Sequence, residues 1–174
     1  PGKTQASIAG SFSKNTLVGN TKANINGGDK LLTMGPSTKA DLAAVRKGSM
    51  IATSAGLGVT VADRTGVSLT VAGSVSLNEI SNTTDAILNG VKDSDEGSYD
   101  LTVKAEDTST IFGLGGAISV GVGGKGAAVG FSLVENTIDN NSNARIEGAT
   151  IRHAKNVIVE AANLADIDAI TISG

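Results

Sequence analysis

Residues that could do chemistry are few in this chain and fall in short clusters. "SVGVGGKGAAVG" (119–130) holds Gly121, Gly123 and Gly126 at the spacing G-x-G-x-x-G, directly after the strand-like run Ala117-Ile118-Ser119-Val120. That spacing cradles a dinucleotide pyrophosphate when the third glycine opens a helix and an acidic residue follows about twenty positions later. Glu147 stands at about that distance, but "AAVGFSLVENTI" after the glycines alternates like a strand. A Walker loop fails too, because Lys125 is followed by Gly126 rather than Ser or Thr. In the preceding repeat, within "VTVADRTGVSLTVAG" (59–73), Asp63-Arg64-Thr65-Gly66 occupies the equivalent place, and an acidic turn cannot stand in for a phosphate cradle. The sequence therefore predicts no nucleotide and no cofactor, and assigns these glycines to a tight turn.

Two charged loops remain. "VKDSDEGSYD" (91–100) gathers Asp93, Asp95, Glu96 and Asp100, a set of oxygens that could hold calcium. The EF-hand order fails, since Gly97 comes at the fifth position and no Glu closes the loop. The Gly-Gly-x-Gly-x-Asp nonapeptide of calcium-binding β-rolls is absent. A solvated loop without metal is the expectation. Its counterpart in the next repeat, "ATIRHAKN" (149–156), carries Arg152, His153 and Lys155, a basic tip that could touch an anionic glycan and is expected to be simply solvated. Four aromatic rings in the chain cannot line a sugar groove. One His and no Cys exclude thiol, Cys–zinc and two-histidine sites. Asn82-Thr83-Thr84 and Asn140-Asn141-Ser142 match the glycosylation acceptor, a frequent coincidence in Asn- and Thr-rich sequence. Polysaccharide cleavage needs paired carboxylates, or acidic metal ligands beside a basic group. Positions one period apart, such as Asp29 and Lys92, do not preserve such a pair. No catalytic, cofactor or metal residue is predicted.

The elements that would position any site come from the composition and the repeats. The 174 residues include 23 Gly and 40% apolar residues, with a net charge of −3 and no basic cluster of nucleic-acid type. Small and β-branched side chains with so few rings suit a narrow core of stacked strands. Three blocks superpose without gaps: "NTLVGNTKANING" (15–27), "NEISNTTDAILNG" (78–90) and "NTIDNNSNARIEG" (136–148). Asn15, Asn78 and Asn136 open them, Ala23, Ala86 and Ala144 stand near the end, and Gly27, Gly90 and Gly148 close them. Downstream, "LTMGPSTKADL" (32–42), "LTVKAEDTSTI" (101–111) and "VIVEAANLADI" (157–167) also match; upstream, "SIAGSFSKN", "TVAGSVSLN" and "VGFSLVEN" match with a one-residue slip. A period near 60 residues takes precedence over any short motif.

Within each period the pattern is of alternating strands, as in "VSLTVAGSVSL" (67–77). Only "KADLAAVRKGSM" (39–50) has any helical spacing, and its counterparts read as strand. The fold class that follows is all-β: a right-handed parallel β-helix, a solenoid whose 60-residue repeat makes roughly three coils of about twenty residues. Eight or nine coils at ~4.8 Å would give a rod about 40 Å long. The repeat asparagines suit coil corners and, recurring every third coil, would form no continuous ladder. The whole chain, 1–174, reads as a single β-helical segment cut from a longer solenoid, without capping repeats.

"VAGSVSLNEISNTTDAILNG" and "AVGFSLVENTIDNNSNARIEGATI", each followed by V-x-V-x-A and an Ile some eight residues on, resemble the repeat regions of large secreted bacterial filamentous adhesins. The resemblance is to leukotoxin-type filamentous adhesins, with haemagglutinin-like exoproteins as wider relatives. It covers nearly the whole chain, rests on degenerate repeat positions and supplies no catalytic residues. It implies export by a type V or two-partner route and a location at the bacterial surface or outside the cell. The first repeat departs most, through "MGPSTKADLAAVRKGSM" (34–50), which predicts an excursion from the regular coil. The expected role is a non-enzymatic structural or adhesive segment of a secreted adhesin or toxin, contacting neighbouring repeats and no nucleic acid, with no membrane insertion. The rival reading is a module binding a host glycan or protein through its loops; a lyase-like β-helix enzyme is the third.

Overall fold

In the computed structural model, which describes residues 3–28, 32–34, 39–93 and 98–174, every regular element is a strand. They are β1 (Thr4–Asn26), β2 (Leu32–Met34), β3 (Lys39–Val61), β4 (Val67–Asn89), β5 (Val91–Asp93), β6 (Tyr99–Val122), β7 (Lys125–Glu147) and β8 (Ala154–Ser173). One sheet has the order β1-β4-β7 and a second β3-β6-β8, while β2 and β5 form a narrow third side. All pairings are parallel. The all-β parallel solenoid read from the sequence is the fold.

Coil length is not as the sequence suggested. Thr4 pairs with Val67 and Val67 with Lys125, so each repeat of about 60 residues is one coil, and the chain makes three. Strands of 23 residues run out along one sheet and back along the other. At ~3.3 Å per residue each long side extends about 75 Å, while three coils span only two inter-strand steps of ~4.8 Å. The molecule is a broad, flattened plate rather than a 40 Å rod. Strict alternation carries no information on where a strand ends, so two or three short strands and one long strand have the same signature.

The repeat blocks fall into register residue for residue, with Asn15, Leu17, Ala23 and Ile25 beside Asn78, Ile80, Ala86 and Leu88. Gly90 and Gly148 end the blocks with φ of +63° and +56°, turning the chain out of the sheet; the first coil makes this turn one residue later, at Gly28 (φ +61°). Three sequence alignments need correction. The apparent slip upstream is absent, because Gly73 lies opposite Phe131 without a bulge. In the first repeat Leu32 pairs with Val91, and Leu42 pairs with Val103, not Ile111. Offsets of ten and eight residues are both even and keep the same parity, so both alignments put apolar residues on one face. Consequently 39–50 is no excursion: it is regular strand paired with 100–111. Residues 35–38 of the supposed excursion lie outside the described residues.

The interior changes character along the plate. Near β5 it is aliphatic, with Leu88, Val91, Leu101 and Val103 fully buried and Ala23, Ile25, Ala144 and Ile146 packed against them. At the opposite end the two sheets come so close that a methyl group at Gly56 would overlap the Gly73 backbone, and one at Gly130 the Ala117 carbonyl. Only Gly, Ala, Ser and Thr fit there, and hydroxyls lock the sheets. Thr70 Oγ1 donates to the Val120 carbonyl (3.2 Å), Thr60 Oγ1 to that of Leu69 (3.3 Å) and Ser119 Oγ to that of Val129 (2.6 Å). In "VSLTVAGSVSL" it is therefore Ser68, Thr70, Ser74 and Ser76 that are buried, while Val67 and Leu69 face outward.

This polarity gives a direct test. Leu88→Ala leaves a cavity in the aliphatic end and costs about 3 kcal/mol, whereas Leu69→Ala removes an outward side chain and costs less than about 0.5 kcal/mol. Urea unfolding of the two variants reads the difference.

Candidate functional site

Functional groups meet in two places, inside the plate and at its β5 edge. Asn15, Asn78 and Asn136 stand mid-strand and face inward, not at corners. Asn15 Nδ2 donates to Asn78 Oδ1 (2.9 Å), and Asn78 Nδ2 to Asn136 Oδ1 (2.8 Å). Asn136 Nδ2 then crosses the interior to the Asp168 carbonyl (3.0 Å). One coil per repeat makes the ladder continuous, contrary to the sequence expectation.

Four to six residues further along β4, at Asn82 and Thr84, the facing sheet brings in a buried charged cluster. Asp107 on β6 is fully buried, and its carboxylate accepts from Ser109 Oγ (2.5 Å), Asn140 Nδ2 (2.6 Å) and Thr84 Oγ1 (3.4 Å). Arg46, directly above it on β3, places Nε 3.9 Å from Asp107 Oδ2. Gly19 faces the guanidinium, and any side chain there would overlap it. On the third coil Asn163, paired with Asp107, donates to the Asn140 carbonyl (3.0 Å) and accepts from Ser142 Oγ. Both oxygens of Asp107 are engaged, by Thr84 and Asn140 on the facing sheet and by Arg46 and Ser109 on its own, so the cluster fastens the two sheets together.

The order of residues in that stack recurs. Reading from the first coil to the third, Arg46, Asp107 and Asn163 form one column, Lys22, Asp85 and Asn143 a second, and Lys39, Asp100 and Asn156 a third. In the second, Lys22 Nζ lies 3.6 Å from Asp85, which also accepts from Asn143 Nδ2 (3.0 Å). In the third, Asn156 Nδ2 donates to Asp100 Oδ1 (2.6 Å). Cation, carboxylate, amide is a sequence of complementary groups, and it places the carboxylate of the second coil between a cation and an amide.

The two charged loops also meet. Lys92 bridges to Thr150, which lays the acidic loop of the second coil on the basic loop of the third. Asp93 Oδ2 accepts from the backbone N–H groups of Arg152 and His153 (both 2.6 Å), with His153 Nδ1 3.5 Å away. The His153 N–H foremost, with the Arg152 N–H and the imidazole, holds the Asp93 carboxyl below its ordinary range against the opposing effect of burial. Tyr99 beside it is pushed upward by burial and by the Asp93 charge. Asp95, Glu96 and Gly97 lie outside the described residues. Among the described residues no three His, Asp or Glu side chains converge on a metal position.

The glycine fingerprint resolves into two uses. Gly123 and Gly124 form the turn between β6 and β7, and Gly124 lies so close to the Arg64 carbonyl of the turn beneath that no side chain fits. Gly121 and Gly126 instead face inward around the Ser68 hydroxyl, where the sheets touch. Assigning all of them to a turn was half of the explanation. Comparison with protein-family models, with curated proteins and with solved structures finds no match to this chain.

The Asp93 clasp predicts an acid-sensitive edge. A carboxyl whose folded pKa lies below its unfolded value of about 3.9 stabilises the fold above that value and loses this contribution as pH falls toward the folded pKa. Asp93→Asn flattens this part of the stability profile below about pH 4, and amide exchange at Arg152 and His153 quickens at neutral pH.

Proposed function

We propose that this chain is a non-enzymatic structural segment of a secreted or surface-exposed bacterial adhesin or toxin, working as a self-registering β-solenoid plate. One observation carries the reading: polar side chains that could have formed a site are spent on neighbouring coils or on the facing sheet. The Asn15–Asn78–Asn136 ladder, the Lys22–Asp85–Asn143 column, the Arg46–Asp107 and Asn156–Asp100 contacts and the Asp93 clasp run along the stacking direction. Such bonds transmit load between coils and hold their register.

Geometry refines the role. Each coil spends about 60 residues on one ~4.8 Å step, so the architecture yields width and stiffness rather than reach. A broad face for display, with binding or toxic regions carried elsewhere, suits it better than a long spacer. The repeat resemblance supplies the extracellular setting.

The loop-binding alternative has less to work with, since the Asp93 carboxylate and the Arg152 and His153 amides engage each other. The test is binding of labelled monomer to host cells at physiological salt, beside heat-denatured protein. The scaffold reading predicts no saturable component above the control. Saturable binding that disappears when residues 150–156 are replaced, with circular dichroism unchanged, would transfer the function to the loops.

A further inference from the structure

Where the sheets touch, the plate is turned inside out. Over residues 51–61 and 112–122 of one sheet and 67–77 and 125–135 of the other, the interior holds Gly, Ala, Ser and Thr, with Val134 reaching in against Gly113 and Gly115. Large aliphatic and aromatic side chains stand on both outer faces. On the β1-β4-β7 face Ile8, Phe12, Val129 and Phe131 are exposed, Ile8 to 85% and Phe12 to 68%. The β3-β6-β8 face exposes Ile51 (78%), Leu57 (66%), Ile118 and Ile172. Beyond this zone the outward positions turn polar and charged, with Lys22, Asp85 and Arg145 on one sheet and Lys104, Glu106 and Glu160 on the other. With strands of about eleven residues in three coils, the first apolar face covers roughly 36 Å by 14 Å, about 500 Å²; on the second, β8 ends opposite Ala117 and the area falls to about 440 Å². That matches the largest patch found on ordinary monomers, and here it occurs twice, back to back.

The faces differ in relief. Phe131 projects from the first, seated over Gly73 of the neighbouring coil, with Phe12 close by on the edge strand. The second is indented around Gly116, where an apolar hollow of about 320 Å³ is lined by Ala55, Leu57, Ile118 and Ile172. A face with projecting rings and a face with an apolar hollow are complementary, and they lie on opposite sides of one molecule. We propose that the occupant of these faces is a second copy of this chain, the β1-β4-β7 face of one plate packing on the β3-β6-β8 face of the next. Such a contact is heterologous and does not close, so plates add side by side. Each contact buries about 900 Å² in total, in the range of weak, transient interfaces, which makes association concentration-dependent.

A lipid bilayer is the competing occupant, because the apolar zone is long enough to cross it. Lipid loses on the edges. β1, β3, β7 and β8 each leave one side of the backbone unpaired, and immersion would carry four rows of N–H and C=O groups into hydrocarbon. Packing between plates leaves those rows in water. This stands apart from the proposed extracellular role and does not depend on it.

Sedimentation of the 17.3 kDa chain across a hundredfold concentration range, with two double variants, tests the proposal. Phe12→Lys/Val129→Lys blocks one face and Leu57→Lys/Ile118→Lys the other, all at exposed positions where circular dichroism is expected to stay unchanged. The parent chain should grow beyond dimer, each variant alone should stay monomeric, and an equimolar mixture should stop at a one-to-one dimer, since one free face of each kind remains. Growth of either variant alone would overturn the proposal in favour of like-face or end-to-end contact. A parent chain that stays monomeric throughout would overturn it outright. So would flotation of the parent, lost in both variants, with neutral phosphatidylcholine vesicles.

Discussion

Parallel in-register stacking is the constraint on which the rest of this structure depends. When each residue sits ~4.8 Å above its counterpart, a side chain's nearest neighbour is the one at the same place in the next repeat. Identical residues are tolerated only if they attract themselves. Aliphatic groups do so by burial, which is why Ile80 and Leu88 have Leu17, Ile138, Ile25 and Ile146 beside them. An amide does so because it carries both donor and acceptor, which is how Asn15, Asn78 and Asn136 can recur without leaving buried polar groups unpaired. A charge cannot repeat in this way. Where charge enters, the repeats must differ, and Arg46–Asp107–Asn163 shows how.

Departures from the repeat are therefore as informative as its matches. Lys22, Asp85 and Asn143 look like drift when the repeats are compared one pair at a time. As a column they are two adjacent, complementary contacts. The same holds for the acidic and basic loops, which look like evidence against a shared function and in fact clasp each other through Asp93. Each column sets one cation beside one carboxylate, so the columns favour the first and second coils as neighbours as well as adding stability.

Much of the fold was legible. The gapless blocks at 15–27, 78–90 and 136–148 set the stacking register, and alternation identified strands throughout. The length of a coil was not legible, because a period of two looks the same in one long strand as in several short ones. Nor were the offsets of ten and eight residues that misplaced Leu32 and Leu42, since even shifts leave inside and outside unchanged. The facing of "VSLTVAGSVSL" was hidden for a further reason: alternation separates two faces without saying which is buried. Here inter-sheet distance decides. Glycines at 56, 115 and 121 draw the sheets together until Leu57, Val67, Leu69 and Ile118 have room only outside. The interior polar cluster follows from neither composition nor motif; it becomes visible only when the repeats are aligned as coils.

Cross-linking of paired outward positions tests the one-coil-per-repeat account most directly, and the chain has no cysteine to interfere. Ser81 and Asp139 are partners on adjacent coils, at a separation that a disulfide spans. Ser81 and Thr102 would be neighbours only if coils were about twenty residues long. The account predicts rapid oxidation of the Ser81→Cys/Asp139→Cys protein and none within the monomer for Ser81→Cys/Thr102→Cys. The reverse result would contradict it.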